Sequence, residues 1–527
     1  MMLRVKAQVL VVLSALLVAR LSEARVGSPQ ADRIRGLIEA LSYDQARREL
    51  AGGDPNDPAL AIERARLALY ELDCDRAAAI FDAADLPSAD GAQWLAQTAR
   101  GCQRVIAATV VDRDEDRAIE IHWQDEHDRA LAPWVFDTVA MARDALSRDL
   151  GVDWPKPTSI VVVSDLLSLS AMTALPYKSA QTTGTVAVAK WGRVTLLSPR
   201  ASRHGYAWLD TIAHELTHLA VTRATGDRAP LWLQEGVAKR EEQRWRDPGP
   251  FDGRPSADEI ARRGFQAGLA IPLDRLGPSI AMLPSAELAR VAFAEVTGFV
   301  GFYAKQQRDD ALARLLGELR GGKDPDAALA AASGAGLAEW SRRWRARVDA
   351  QPRDLAPSDW QFGPRHERDG RSLRDGARVA ELLAARGHGV VALERLEAAL
   401  SKDGLAAIPT RSAPQDPSVL WLHARLLEET NCLAQAELLV ADPAAVTVSF
   451  GPWWVLRSRL ALAAEHGDEA SESIEQALAV DPLDAEVACS PGWTHAPGPS
   501  AASGRISARA ELCRAALGAS GPGLDPE

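Results

Sequence analysis

At 527 residues the chain exceeds what one hydrophobic core organises, so two or three domains are expected, with room for an enzyme-sized interior. Its net charge is -12 at pH 7 and no run of like charges extends past a few residues, which argues against nucleic acid as a partner. Its five cysteines form no CxxC pair, so neither a thiolate metal site nor thioredoxin-type redox chemistry is indicated.

The chain opens with "MMLRVKAQVLVVLSALLVARLSEA", a short basic start at Arg4 and Lys6 followed by an apolar stretch from Ala7 to Ala19. That stretch is short for a bilayer span, and Ser22 and Ala24 put small residues where a signal peptidase reads, so residues 1–24 are expected to be a secretory signal. A retained anchor helix is the alternative. No later stretch reads as transmembrane, so no integral membrane segment is expected after cleavage. In an exported chain, periplasmic or extracellular, Cys74 could pair with Cys102 and Cys489 with Cys513, with buried free thiols as the alternative.

Residues 25–111 read as a helical, repeat-like region. "LIEALSYDQARREL" and "AIERARLALYELDCDRAAAIFDAADL" each combine an apolar face at helical spacing with a break, and the second has a short polar turn between two helices. From residue 112 the texture changes. "AIEIHW" (118–123) and "TSIVVVSD" (158–165) are strand-like, with the helix "LAPWVFDTVAMARDALSRDLG" between them, and "TGTVAVAKWGRVTLLSP" (183–199) reads as two strands around a turn at Gly192. Three or four strands followed by helix from about 207 onward predict an α+β fold rather than regular βαβ alternation. Residues 112–350 form this domain, and 370–515 return to helical grammar. "LLAARGHGVVALERLEAAL", "LLEETNCLAQAELL" and "LALAAEHGDEASESIEQALAVDPLDAEV" repeat a helix, a turn near Gly or Asn and a second helix, and the last resembles a tetratricopeptide repeat, including the closing "DP".

The helical half of the middle domain begins with "DTIAHELTHLAV" (210–221). The pattern is helical from Trp208 to about Ala224, with Asp210 read as the N-cap and Gly226 beyond the C-terminus. His214 and His218, at i and i+4, then leave one helix face about 6 Å apart and can reach one ion. Glu215, rotated by about 100° from His214, can lean toward a water beside the ion without ligating it and take that water's proton. Such a site needs one more protein ligand and keeps one position open. A chain that turns at Gly226 and runs back through "APLWLQEGVAKREEQRW", with Pro230 in the first turn, brings Glu235 toward the histidines; Glu241 and Glu242 are the substitutes. Asp210 could instead partner a histidine ring. A metzincin would require Gly and His where Val221 and Ala224 stand.

"HELTH" followed 17 positions after its second histidine by "WLQEG" resembles the gluzincin zinc metallopeptidases. More narrowly, "AIEIHW", "TTGTVAVAKWGRVTLLSPR", "HELTH" and "APLWLQEGVAKREEQRW", with helical repeats around them, resemble the bacterial peptidase MA-like proteins over about residues 112–350. The resemblance implies a zincin-like fold flanked by tetratricopeptide-like repeats, one Zn2+ held by His214, His218 and Glu235, and Glu215 as general base. It further implies that "GRVTLLSP" is an edge strand along a cleft, to which an extended peptide adds through main-chain hydrogen bonds. A tetrahedral oxyanion wants a further donor, for which His204, Tyr206 and Tyr303 are candidates; the family's tyrosine corresponds here to Phe293. The expected function is hydrolysis of a peptide or protein substrate, with the repeats available to a protein partner. The alternative is a repeat-based interaction scaffold whose zincin domain binds metal with little or no turnover.

Overall fold

The computed structural model describes residues 28–83, 90–152, 154, 157–202, 205–249, 252–253, 256–277, 279–351, 369–402, 417–441, 449–490 and 502–518. The expected leader, residues 1–24, and the candidate donor His204 lie outside these. The described chain is a mixed α+β structure, predominantly helical, with one five-stranded sheet.

Five helices come first: α1 (Pro29–Glu39), α2 (Tyr43–Ala51), α3 (Pro58–Tyr70), α4 (Cys74–Ala83) and α5 (Asp90–Ile106). The sheet follows, interleaved with helices: β1 (Val110–Asp114), β2 (Ile119–Trp123), α6 (Ala132–Leu150), β3 (Thr158–Val163), α7 (Leu166–Thr173), α8 (Tyr177–Thr183), β4 (Ala187–Lys190) and β5 (Arg193–Leu197). Its order is β1-β2-β3-β5-β4, with β2, β3 and β5 parallel and the two outer strands antiparallel to their neighbours. Strand β1 was not foreseen, because "VVDRD" offers only two apolar residues to a pattern search. It is an outer strand, where one side needs no covering neighbour.

The β4–β5 hairpin turns at Trp191 and Gly192, both at positive φ (56° and 68°), the two-residue turn whose twist matches that of the strands. Only glycine fits at 192, since a Cβ there would run into the Tyr43 hydroxyl. The expectation for "GRVTLLSP" is corrected here: β5 lies inside the sheet between β3 and β4, every residue of it is buried, and the edge strand is β4.

The two sheet faces have different partners. Ile119, Ile121, Ile160, Val162, Val194 and Leu196 join the core built on α6 and the helices that follow the sheet. Val161, Val163, Trp191 and Leu197 pack instead with α3 to α5. Arg193, at the start of β5, is fully buried on that second side, donating to the Leu69 carbonyl at 2.6 Å and the Trp191 carbonyl at 3.3 Å. Beside it a disulfide joins Cys74 of α4 to Cys102 of α5.

The remaining helices are α9 (Trp208–Thr225), α10 (Leu231–Glu241), α11 (Ala257–Gln266), α12 (Ala286–Gln306), α13 (Ala311–Arg320), α14 (Pro325–Ser333) and α15 (Leu337–Ala350). Then come α16 (Asp369–Ala384), α17 (Gly389–Lys402), α18 (Pro417–Glu429), α19 (Leu433–Val440), α20 (Gly451–Ala463), α21 (Gly467–Val480), α22 (Ala485–Ala488) and α23 (Ala502–Ala516). Cys489 and Cys513 form a second disulfide, and Cys432 is free and half-buried. No helix among the described residues is long and apolar enough to cross a membrane.

One turn recurs throughout. Between α1 and α2, α3 and α4, α16 and α17, α18 and α19, and α20 and α21, the residue in the turn takes positive φ: Leu41, Leu72, Gly387, Asn431 and Glu465. In each the next amide reaches back five residues, as Ser42 N–H to Leu37 C=O and His466 N–H to Ala461 C=O, both at 2.8 Å. This six-to-one closure satisfies end carbonyls that the helix cannot pair itself. The N-terminal and C-terminal thirds are therefore built from the same antiparallel helix hairpin. The pair α20–α21 also shares the core of the central helices, where Trp208 Nε1 donates to the Leu478 carbonyl at 3.0 Å and Tyr206 N–H to Val480 C=O at 2.9 Å.

Candidate metal centre

Helix α9 is held by its apolar residues. Trp208, Ile212, Ala213, Leu216 and Ala220 are buried, which leaves His214 and His218 on the remaining strip of the helix. It begins at Trp208 with Ala207 in the cap position and no side-chain cap, so Asp210 is not the N-cap. Nor does Asp210 touch a histidine: it accepts from Trp245 Nε1 at 3.0 Å and is paired bidentately by Arg246, at 2.9 and 2.7 Å. Those contacts fasten the chain beyond α10 to the first turn of α9.

At its far end α9 closes with the recurrent turn, Gly226 at φ 64° and the Asp227 amide bonded to the Thr222 carbonyl. The chain reverses and α10 starts after Pro230, returning alongside α9 as expected. Gly236 lets α10 lie close on α12: a Cβ there would stand 2.8 Å from the Val296 carbonyl oxygen and overlap the Val300 side chain. Glu235 immediately precedes this contact, so its position is set by the packing of α10 between two helices.

Three donor atoms converge. His214 Nε2 and His218 Nε2 are 3.2 Å apart, and Glu235 Oε2 lies 3.8 Å from the first and 3.6 Å from the second. Tetrahedral zinc with ligands at about 2.0–2.1 Å has ligand–ligand edges of about 3.3 Å, so this triangle fits one such ion with little adjustment. The other ring nitrogens are engaged by α10 and the residue after it: His214 Nδ1 faces Glu242 Oε2 at 3.2 Å and His218 Nδ1 faces Gln234 Oε1 at 3.3 Å. With acceptors on both Nδ1 atoms, the protons belong there, and each Nε2 presents its lone pair to the common point. Two lone pairs 3.2 Å apart repel unless a proton or a metal cation lies between them.

Charged neighbours surround the rings. Burial opposes charge on the Glu242 carboxyl, but Lys239, with Nζ at 2.8 Å, and His214 outweigh it and hold its pKa at about 2. Burial likewise disfavours protonation of His214, and the bond to Glu242 together with the nearby Glu215 charge turns the balance, leaving its pKa raised. Lys239 lies over the Phe293 ring, 5.5 Å from its centroid, which brings Phe293 of α12 to the edge of the site without a polar group.

Glu215 is buried, and its carboxylate lies with both histidine nitrogens inside a 4.8 Å cluster. One oxygen, Oε2, accepts from the Ala189 amide of edge strand β4 at 2.6 Å. Both Glu215 and Glu235 therefore approach the histidines; Glu235 Oε2 faces the two Nε2 atoms without a backbone donor among the described residues, whereas Glu215 has one oxygen tied to β4. Of the substitutes, Glu242 orients His214, and Glu241 turns away to Arg240 and Arg244.

Neither described oxyanion candidate is offered to the site. The Tyr206 hydroxyl bonds to the Leu197 carbonyl, and Tyr303 is buried against Trp340, ring centroids 5.2 Å apart, about 15 Å along α12 from Phe293. Sequence reasoning missed Gln234, Lys239 and the orienting role of Glu242. Their spacing carried a signal: 235, 239 and 242 share one helix face at i, i+4 and i+7, the same rule that joined the two histidines. Comparison with protein-family models, curated proteins and solved structures gives no match to this chain.

Proposed function

We propose that this protein is an exported zinc-dependent metallopeptidase of the gluzincin type, similar to the bacterial peptidase MA-like proteins, with tetratricopeptide-like helix hairpins on both sides of a zincin-like domain. The observation that carries the reading is the Nε2, Nε2, Oε2 triangle of His214, His218 and Glu235, with both Nδ1 atoms already given acceptors. Zinc bound there supplies Lewis acidity toward a scissile carbonyl and a water molecule.

The chain's own residues do the rest. His214, His218 and Glu235 would hold the ion, three protein ligands being the number a catalytic zinc site provides. Glu242, Lys239 and Gln234 hold the rings in the tautomer that points Nε2 inward. Glu215 takes a proton from the attacking water and returns it to the leaving amine. An extended peptide adding to β4 competes for the Ala189 N–H, and its arrival releases Glu215 Oε2 toward the water. Two disulfides accord with an oxidising destination, periplasmic or extracellular.

The test is a zinc determination on the purified chain together with peptide-library hydrolysis by wild type and Glu215→Gln. One zinc per chain and a loss of about 10²- to 10⁴-fold in the variant are expected. Absence of zinc, or equal rates, defeats the reading. A second reading, a metal-binding scaffold with weak turnover, draws on the oxyanion candidates: the Tyr206 hydroxyl is bonded to Leu197, Tyr303 is buried against Trp340, and Phe293 has no donor. It predicts zinc without hydrolysis.

A further inference from the structure

Edge strand β4 has two kinds of backbone position. The Leu197 amide donates to Val186 C=O at 2.7 Å, so, with the β4–β5 register, Val188 and Lys190 also turn their backbone groups toward β5. Ala187 and Ala189 turn theirs outward, and the Ala189 N–H meets Glu215 there. The Ala187 N–H and C=O and the Ala189 C=O have no partner among the described residues. The side chains alternate as well: Ala187 and Ala189 pack toward the metal-bearing helices, and Val186, with Lys190 two steps further along the alternation, faces α5.

Lys190 is the cation of this strand, and it is held. Its Nζ lies 4.8 Å from the Trp94 ring centroid and 5.0 Å from that of Trp191, the two rings being 5.3 Å apart. No carboxylate pairs with it among the described residues, and Trp94 is 40% exposed, so this side of the strand opens to solvent. Burial against the indoles lowers the ammonium's pKa below its ordinary value, as expected for a charge without a counter-ion.

The geometry points to Lys190 as a specificity-determining residue: it selects an acidic side chain on a peptide strand laid along β4, at the residue directly across from it and on the sheet face opposite the metal ligands. The inference rests on the peptidase reading, which makes β4 the wall along which substrate lies. Side chains directly opposite on neighbouring strands are about 4.5–5.5 Å apart at Cβ, within reach of an ion pair, and like charges there repel. Because Ala189 is the residue whose amide meets Glu215, the selected residue stands next to the one bound at the reacting position.

The experiment uses the full chain carrying Glu215→Gln, loaded with zinc so that peptides bind without being cut. Fluorescein-labelled peptides of one neutral sequence, with Glu, Gln or Lys moved through it one position at a time, are titrated by anisotropy. At one position Glu should bind about five- to tenfold tighter than Lys, with Gln between. Adding Lys190→Glu should reverse the order, and adding Lys190→Met, which keeps an apolar stem against the indoles, should bring the Glu/Lys ratio to about one. An unchanged ratio in Lys190→Met, or no charge preference at any position with Lys190 present, overturns the inference. If the substituted chains do not fold, the Lys190 protein still decides: a preference for Glu that shrinks between about 0.05 and about 0.5 M salt supports it, and none overturns it. Zinc bound at one per chain with no peptide retained also overturns it while leaving the metal centre standing, whereas a chain without zinc removes the peptidase reading itself.

Discussion

Helices α20 and α21 meet through Trp453, Leu456 and Leu460 on one side and Ala470, Ile474 and Ala477 on the other, all buried. Helices α9 and α10 reverse the chain with the same hydrogen-bonded turn, yet between them lie two imidazoles, a glutamine and two carboxylates. The difference teaches where stability and function are separated in this fold. A hairpin filled with alanine and leucine gains by excluding water, whereas one filled with polar groups needs a partner for every lone pair. Between α9 and α10 both Nδ1 atoms face acceptors while the two Nε2 atoms face each other, and that is the deficiency a cation would correct.

The largest effect expected from breaking the contrast is at the ligands. His218→Ala should leave the fold intact, as judged by circular dichroism, while zinc content and peptide hydrolysis fall to background. A protein that retained one zinc per chain would place the ion elsewhere.

A second break concerns the apolar hairpin's own exception. Asp481, buried at the end of α21, has its carboxyl pushed up to about 7 by burial and then by Asp484. Its folded pKa exceeds the unfolded value of about 3.9, so the folded chain holds the proton more tightly, and the contribution present below about pH 4 is lost as pH rises toward 7. Asp481→Asn should flatten thermal stability across that window and raise it at pH 8, by a few kcal/mol at most. An undiminished slope would assign it to other groups.

Smaller still is the effect of Glu242→Gln, which keeps an acceptor on His214 Nδ1 and removes its charge. Zinc affinity, read by competition with a chelator, should weaken about 10- to 100-fold, with the fold unchanged. The smallest is Glu465→Gly in the turn between α20 and α21. Glu465 is exposed at φ 60°, and relieving a left-handed side chain should add about 1 kcal/mol in denaturant titrations.

Much of this was legible in the chain. The i, i+4 histidines, the reversal at Gly226 and the approach of Glu235 followed from helical period and one turn residue. The Gly192 hairpin and the α+β texture were legible as well, whereas the two disulfides were one of two readings the cysteines left open. What was not legible depended on partners far along the chain. Asp210 looked like a cap because its partner, Arg246, lies 36 residues on. Strand β1 escaped notice because an outer strand can be mostly charged. The interior place of β5 was missed because the resemblance implied an edge strand, and only the Leu69 and Trp191 carbonyls explain how the guanidinium of Arg193 is accommodated inside.

The absent side chain at position 236 has a reach beyond its own contact. Any heavier residue would push α10 off Val296 and Val300, and because α10 is wedged against α9 on its other side, the carboxylate of Glu235 would shift against the two imidazoles. Under the peptidase reading, the space available to an ion thus turns on a single hydrogen atom where two helices cross.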